Sequence, residues 1–144
     1  MARIVVGIDG SQGARRALEW AVGEAKIRDA HLVVVHAWLE PAAVAVGSVI
    51  AAGGVGPEIF EEAAQRTVAD VLGAVDTTAL PQGIESHVVA GAPAQALLDA
   101  AREADMIVVG SRGLGGFTGL LLGSVSQQVA HHATCPVVII PSHR

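Results

Sequence analysis

The sequence predicts a doubly wound α/β domain, in which a parallel sheet carries helices on both faces. Short apolar runs rich in β-branched residues alternate with longer segments of helical periodicity along the whole chain. Such alternation is typical of βαβ units, which generate parallel sheets. The 144 residues suit one domain with a substantial core, and no internal repeat or boundary is evident. We therefore expect a single domain over residues 1–144.

The first half of the chain supplies two strands and two helices. Residues 4–8 and 32–35 are short aliphatic runs typical of buried strands. Ser11 suits the N-cap of a helix whose apolar residues fall on one face, namely Ala14, Leu18, Ala21, Val22 and Ala25. Pro57 suits the first turn of a second helix that runs to about residue 75. Segment 41–56 has neither charge nor periodicity, so we predict a loop there.

The second half of the chain repeats the alternation and completes a sheet of five strands. Apolar runs predict strands at 84–89, 106–109 and 137–140. Helical patterns lie between them, at 93–103 and from Ser124 to about residue 132.

A glycine-rich segment joins the fourth predicted strand to the fourth predicted helix. Gly110, Gly113 and Gly123 are spaced as glycine, two residues, glycine, nine residues, glycine, and Ser124 comes next. Glycines let the backbone approach a ligand and adopt positive φ, and the unpaired N–H groups of a first helical turn attract anions. Ser124 and Ser126 can add hydroxyl donors. The pattern indicates a phosphate site, and a nucleotide is the leading candidate ligand.

Two other phosphate motifs are excluded by the same residues. A P-loop requires a lysine after its second glycine, but the chain holds one lysine, Lys26, which is remote in sequence. The dinucleotide fingerprint fails because Thr118 stands where its last glycine belongs. No nucleophile elbow, metalloprotease motif or cationic cluster is present either. We therefore predict a binding module that hydrolyses nucleotide slowly at most.

The glycine spacing resembles that of the ATP-binding branch of the universal stress protein family. Residues 3–11 resemble the first strand of that family and the aspartate that ends it. Residues 33–37 are similar to its second strand, and residues 134–140 to its closing strand. The matches keep the family's order from end to end. The resemblance implies the strand order 3-2-1-4-5.

That strand order implies where the ligand binds. Ligands of such sheets bind outside the carboxyl ends of the strands where the order reverses, which is between the first and fourth strands. Asp9 follows the first strand and Gly110 ends the fourth, so the two are expected to lie side by side. Asp9 could instead only cap the first helix, although Ser11 is better placed for that role.

The resemblance also implies a role for each residue of the site. Asp9 would anchor the ribose or the adenine side, and the backbone near Ala37 would contact the adenine edge. Arg112 either reaches a phosphate or points to solvent. The phosphates, with Mg²⁺ bridging them, would be held by Gly110, Gly113, Gly123, Ser124, Val125 and Ser126. ATP is the expected ligand, with AMP and cyclic AMP as open alternatives. Ordering of the 110–123 segment by the ligand would present a changed surface to partners.

Composition and charge restrict the partners and the compartment. The net charge is −5 and the nine Lys and Arg residues are scattered, which argues against nucleic acid or an anionic membrane as partner. The single cysteine, Cys135, suits a reducing compartment. No leader or membrane span is recognised, so we expect a cytoplasmic protein.

The last predicted strand bears on the oligomeric state. Val137–Ile140 is apolar and lies at an edge of the sheet in the implied order, so we expect a homodimer that pairs this strand with its two-fold mate. A monomer with a covered edge is the alternative. The chain is thus identified as an ATP-binding stress-response module. A weak ATPase and a dimeric interaction protein that does not depend on nucleotide are the other candidate functions.

Overall fold

Five parallel strands form one sheet in the order β3-β2-β1-β4-β5. The computed structural model describes residues 2–39, 58–112 and 122–141. The strands are β1 (Arg3–Gly7), β2 (His31–Trp38), β3 (Ile84–Ala90), β4 (Met106–Gly110) and β5 (Val137–Ile140). The order reverses between β1 and β4, so the predicted doubly wound sheet is confirmed.

Four helices are described, and they connect the strands. They are α1 (Gln12–Arg28), α2 (Glu58–Ala74), α3 (Pro93–Ala100) and α4 (Ser124–His132). Helix α3 ends three residues before the predicted bound of 103. The Asp105 N–H donates to the Arg3 carbonyl oxygen at 2.8 Å. The chain must leave the helix early because this bond starts the alignment of β4 with β1.

The core has two halves because successive residues of each strand point to opposite faces of the sheet. Ile4, Val6, Leu32 and Val34 pack with residues of α1 and α2 on one face. Val5, Val33, Val35 and Ile107 pack with residues of α3 and α4 on the other. Both faces of the central strands are fully buried, which explains why these strands appear in the sequence as continuous aliphatic runs.

Strand β2 is longer than the sequence pattern indicates. The prediction covered residues 32–35, but β2 pairs with β3 as far as Trp38, which lies opposite Ala90. His36 and Trp38 interrupt the aliphatic pattern and are only half-buried. Pairing with β3, which the local pattern does not reveal, extends β2 to Trp38.

Three expectations fall on residues outside the described ranges. These are the predicted loop at 41–56, the place of Pro57 in the first turn of a helix and the site residue Gly113. Within the described ranges, no helix has the length and apolar character needed to cross a membrane.

Candidate functional site

The carboxyl ends of β1, β2 and β4 bring three predicted site segments to one level. Val6 is aligned with Val34 of β2 and with Val108 of β4. Continuing this register by three residues places Asp9 between Ala37 and Ser111. Neighbouring strands are about 4.8 Å apart. The segment after β4 therefore begins beside Asp9, at the point where the strand order reverses.

Asp9 orders the turn that leads from β1 into α1. Its Oδ1 accepts a hydrogen bond from the Ser11 N–H at 2.8 Å. Ser11 is the N-cap of α1, as predicted, and its Oγ accepts from the Ala14 N–H at 3.1 Å. Asp9 is half-buried. The structure thus shows a turn-forming role for Asp9, and its predicted nucleoside role stays a prediction.

Two glycines allow the first turn of α1 to lie directly against the segment after β4. A Cβ atom on Gly13 would stand 2.9 Å from the Arg112 carbonyl oxygen. A Cβ atom on Gly110 would stand 3.1 Å from the carbonyl carbon and oxygen of Gly13. The contact at Gly13 is closer than real Cβ atoms show, so the backbone would have to move, and the contacts at Gly110 would require a shift of a few tenths of an ångström. The sequence analysis missed Gly13, because its requirement comes from a segment almost a hundred residues away.

The end of β4 is joined to the start of α4 by a compact set of hydrogen bonds. The Ser111 carbonyl oxygen accepts from the Gly123 N–H at 2.6 Å and from the Ser126 hydroxyl at 2.9 Å. The Ser126 Oγ also lies 3.0 Å from the Gly123 carbonyl oxygen. Ser126 is 2% exposed. The two ends of the glycine-rich segment are therefore fixed to each other.

These bonds differ from the expected roles of Gly123 and Ser126. The Gly123 N–H donates within the protein, and the Ser126 hydroxyl points to carbonyl oxygens. Gly123 has φ −75° and ψ 171°, which are angles that any residue adopts, so no positive φ requires a glycine there. Its place in the site stays a prediction, and its amide has a different partner from the one expected.

Helix α4 presents its first two amides at this edge. Gly123 is the N-cap, and no side chain caps the helix. The first amide to find a helical acceptor is that of Gln127, which donates to the Gly123 carbonyl oxygen at 3.0 Å. Within the described ranges, no protein group accepts from the N–H of Ser124 or Val125. A helix start of this kind attracts anions through its N–H groups and its dipole.

The side chains of the neighbouring residues differ in what they offer a ligand. Ser124 is exposed, so both its amide and its hydroxyl can be reached. The Val125 side chain packs against the core beside α3, which leaves its amide as the group that can face a ligand. Arg112 is half-buried. Ala37 follows His36, whose Nδ1 lies 2.9 Å from the Ile8 carbonyl oxygen and ties β2 to the end of β1.

The groups at this edge are mainly hydrogen-bond donors. Its donors are mainly backbone amides and small hydroxyls, and Asp9 is the carboxylate that the register places among them. In the part of the chain that the structure describes, no three His, Cys, Asp or Glu residues are placed to hold a metal ion. Cys135 lies elsewhere, half-buried, and burial raises the pKa of its thiol, which disfavours the reactive thiolate.

A protein-family model and several known proteins match this chain over most of its length. The model of the universal stress protein family matches residues 1–141. A universal stress protein of Mycolicibacterium smegmatis is 37% identical over 137 residues, which is 95% of this chain and 45% of that protein. The chain thus spans about half the length of this relative and of several mycobacterial relatives like it.

Two similar crystal structures contain adenine nucleotides. One is a universal stress protein in complex with cAMP, with a TM-score of 0.63, 33% identity and coverage of 96% of this chain and 95% of that one. The other is the universal stress protein from Archaeoglobus fulgidus in complex with dAMP, with a TM-score of 0.69 and 26% identity. The match covers 97% of this chain and 98% of the Archaeoglobus fulgidus chain.

Proposed function

The chain belongs to the universal stress protein family, and we propose that it binds an adenine nucleotide, with ATP as the preferred ligand. The observation that carries this proposal is the pair of amides at Ser124 and Val125, which have no acceptor among the residues that the structure describes, at the sheet edge that also holds Asp9. The complexes of similar proteins with cAMP and dAMP support the adenine nucleoside as the recognised part of the ligand.

Each part of the nucleotide is assigned to one group of residues. The N–H groups of Ser124 and Val125 bind phosphate oxygens, and the exposed Ser124 hydroxyl adds a third donor. Gly110 and Gly113 keep side chains away from the phosphates, and Arg112 offers a cation beside them. Asp9 accepts hydrogen bonds from the ribose hydroxyls, which a carboxylate does well. The backbone at Ala37, level with Asp9, borders the adenine.

Mg²⁺ would bind at this site only together with the phosphates of the nucleotide. Mg²⁺ prefers six oxygen ligands and keeps several waters, and it often binds one carboxylate together with substrate phosphates. Asp9 is the carboxylate that the register places at this edge, and the described residues form no protein-only metal site. The ion when bound would neutralise phosphate charge, while the chain's own residues orient the nucleotide.

The proposal includes a homodimer formed through β5, acting in the cytoplasm. All four residues of β5 are half-buried, and the strand lies at the edge of the sheet. A regular apolar edge strand tends to be covered, and pairing with a second copy would cover it. Light scattering at micromolar concentration is expected to give twice the chain mass. A monomer mass would contradict this part of the proposal.

Mass spectrometry of small molecules released from freshly purified, denatured protein tests the ligand. We expect an adenine nucleotide in the released fraction, and titration calorimetry with ATP, AMP and cAMP then ranks the candidates. Protein that carries no nucleotide and binds none in calorimetry would favour the nucleotide-independent interaction protein. Turnover of ATP by stoichiometric protein within minutes would favour the weak ATPase.

A further inference from the structure

The Ser126 hydroxyl lies in an unusual place for a serine in the first turn of a helix. It donates outside its own helix, to the Ser111 carbonyl oxygen beyond the end of β4, at 2.9 Å. It also lies within reach of the Gly123 carbonyl oxygen, at 3.0 Å. The serine is 2% exposed, so water is not available to replace these bonds. A buried hydroxyl that lost its acceptors would be costly, and this one has two.

The bond fixes the direction of the amides proposed to bind phosphate. Gly123 donates to the same Ser111 oxygen at 2.6 Å, so two donors, one on each side of Ser124 and Val125, share one acceptor. The two bonds hold the start of α4 against Ser111, the residue that follows β4. The N–H groups of Ser124 and Val125, which lie between the two donors, are held there with it.

The sequence separation shows why a dedicated bond is needed. Ser111 and Ser126 are fifteen residues apart, and the chain between them contains the glycine-rich segment. Bringing together groups this far apart along the chain costs conformational entropy, which contacts between the two segments must offset. The Gly123 N–H bond attaches one point of the helix start to the Ser111 oxygen. The Ser126 bond attaches a second point of the helix start to the same oxygen, which restricts how that start can turn.

We propose that Ser126 is a positioning residue for nucleotide phosphate: its hydroxyl holds the start of α4 on the end of β4 and thereby aims the amides of Ser124 and Val125. The inference rests on the proposed nucleotide-binding function. It concerns affinity for the phosphate portion of the ligand, because the adenosine portion is assigned to Asp9 and Ala37. Ser126 itself does not touch the ligand.

The test compares ligands with and without phosphates. Ser126→Ala removes the hydroxyl and keeps the shape, and we expect ATP to bind about five- to tenfold more weakly, the loss typical of one buried hydrogen bond. Adenosine should bind within twofold of the parent, because it lacks phosphate. Ser126→Cys keeps the volume with a weaker donor, so its loss should be intermediate and in the same direction. If the alanine variant unfolds, the cysteine variant carries the same comparison.

A control removes a hydroxyl-to-carbonyl hydrogen bond that lies within a single helix and away from the candidate site. The Thr67 hydroxyl in α2 donates to the Ala63 carbonyl oxygen at 3.1 Å. Thr67→Val should leave the affinities for both ATP and adenosine unchanged. A second readout needs no ligand: in Ser126→Ala, the Gly123 amide hydrogen should exchange with solvent faster, while amides in β1 keep their protection.

Three results would overturn the inference. A folded Ser126→Ala protein that binds ATP as tightly as the parent would show that the hydroxyl does not aim the amides. Equal losses for ATP and adenosine would indicate general distortion of the site. A parent protein that binds neither ligand would remove the proposed function, and this inference with it. The first two results leave the proposed function intact, so the two failures are distinguishable.

Discussion

The amino ends and the carboxyl ends of the strands carry different kinds of chemical groups; these two ends of the sheet are called here its amino edge and its carboxyl edge. Near the amino ends of the strands, side chains with charge bind one another. Glu85 of β3 accepts from His31 of β2 and from His87, and Arg3 of β1 lies 3.7 Å from the same carboxylate. At the carboxyl ends, glycines, small hydroxyls and backbone groups predominate, and two helical amides have no partner among the described residues.

This difference predicts that one edge contributes mainly to the stability of the protein and the other mainly to ligand binding. The charged side chains at the amino edge are already paired with one another, so a ligand would have to break these pairs to bind there. The carboxyl edge has N–H donors without an acceptor among the described residues. The glycines at this edge keep side chains out of the space in front of those donors. Changes at the carboxyl edge should therefore alter ligand affinity more than stability, and changes at the amino edge should do the opposite.

Gly13→Ala should produce the largest effect on binding. The added Cβ would stand 2.9 Å from the Arg112 carbonyl oxygen, so the backbone after β4 must move. Overpacking against backbone costs about 1–3 kcal/mol, which corresponds to a loss of up to about a hundredfold in ATP affinity if it falls on the bound state. Titration calorimetry measures the affinity, and circular dichroism confirms folding.

Gly23→Ala is the control for this substitution, since it lies in the same helix. A Cβ on Gly23 meets no atom within 4 Å. The alanine should raise the free energy of unfolding by about 0.5–1 kcal/mol through its better helix propensity and leave ATP affinity unchanged. If both variants bound ATP equally well, the close approach of α1 to Arg112 would have no functional meaning.

Gly123→Ser should produce the next largest effect. A serine at this N-cap can accept from the amides of the first helical turn, which are the groups assigned to phosphate. Helix capping should be maintained or improved, while competition for the amides should weaken ATP binding by about tenfold. Adenosine affinity should change little. Calorimetry with both ligands measures the split between phosphate and nucleoside.

The start of α3 offers the matched control. Ala92 is the N-cap of α3, also without a side-chain cap, at the same edge of the sheet. Ala92→Ser should stabilise the protein by about 0.5–2 kcal/mol and leave the affinity for ATP unchanged. Equal losses of affinity in the two variants would mean that α4 has no special role among the helices that begin at this edge.

Asp9→Asn should have a smaller effect, and on the nucleoside side. The asparagine Oδ1 can still accept from the Ser11 N–H, so the turn into α1 survives while the charge is lost. Hydrogen bonds to a charged acceptor are stronger than those to a neutral one, so adenosine and ATP should both bind about fivefold more weakly.

Asp76 supplies the control for Asp9, because it makes the same bond elsewhere. Its Oδ1 accepts from the Thr78 N–H at 3.0 Å, in an exposed turn. Asp76→Asn should leave both affinities unchanged. A folded Asp9→Asn protein whose adenosine affinity equalled that of the parent would restrict Asp9 to its turn-forming role.

The central fold could be predicted because it depends on local patterns. Strands that are buried on both faces must be continuous apolar runs, and residues 106–109 form such a run. Residues 137–140 form an aliphatic run as well, although this edge strand is only half-buried. Ser11 could be assigned as an N-cap because its side chain bonds a residue three positions away. The extension of β2 through His36 and Trp38 was missed, because its pairing partner β3 lies some fifty residues further along the chain.

The sequence predicts the candidate site only as a set of positions, and their roles toward a ligand stay predictions. Glycine spacing located the segment after β4. It could not reveal that Gly13 must be small, or that the Ser111 carbonyl oxygen would occupy the Gly123 N–H and the Ser126 hydroxyl. Those facts depend on distances between segments far apart in the chain, and no local pattern encodes them.

The smallest expected effect lies at the amino edge and depends on pH. Both ring nitrogens of His31 face acceptors, the Gln82 carbonyl oxygen at 2.9 Å and Glu85 Oε2 at 2.8 Å, so both must carry protons to donate. The Gln82 carbonyl first, and Glu85 second, raise the pKa of His31 above its ordinary 6.5. The hydrogen bonds from His31 and then His87 lower the pKa of Glu85 below its ordinary 4.5.

The signs of these two shifts define a window of pH. The stabilisation from His31 is complete below 6.5 and is lost as pH rises through the raised pKa of the folded state. The stabilisation from Glu85 is complete above 4.5 and is lost as pH falls through the lowered pKa of the folded state. Both contributions are therefore present between these two values, where the network should contribute most to the free energy of unfolding.

A double-mutant cycle on His31→Asn and Glu85→Gln measures that contribution. The asparagine amide can keep the bond to the Gln82 carbonyl, so the cycle isolates the pair with Glu85. We expect a coupling energy below about 1 kcal/mol between pH 4.5 and 6.5, because the pair is partly exposed. The coupling should shrink at pH 8 and in molar salt. ATP affinity should stay within twofold in each variant, and a larger loss would show that the two edges are not independent.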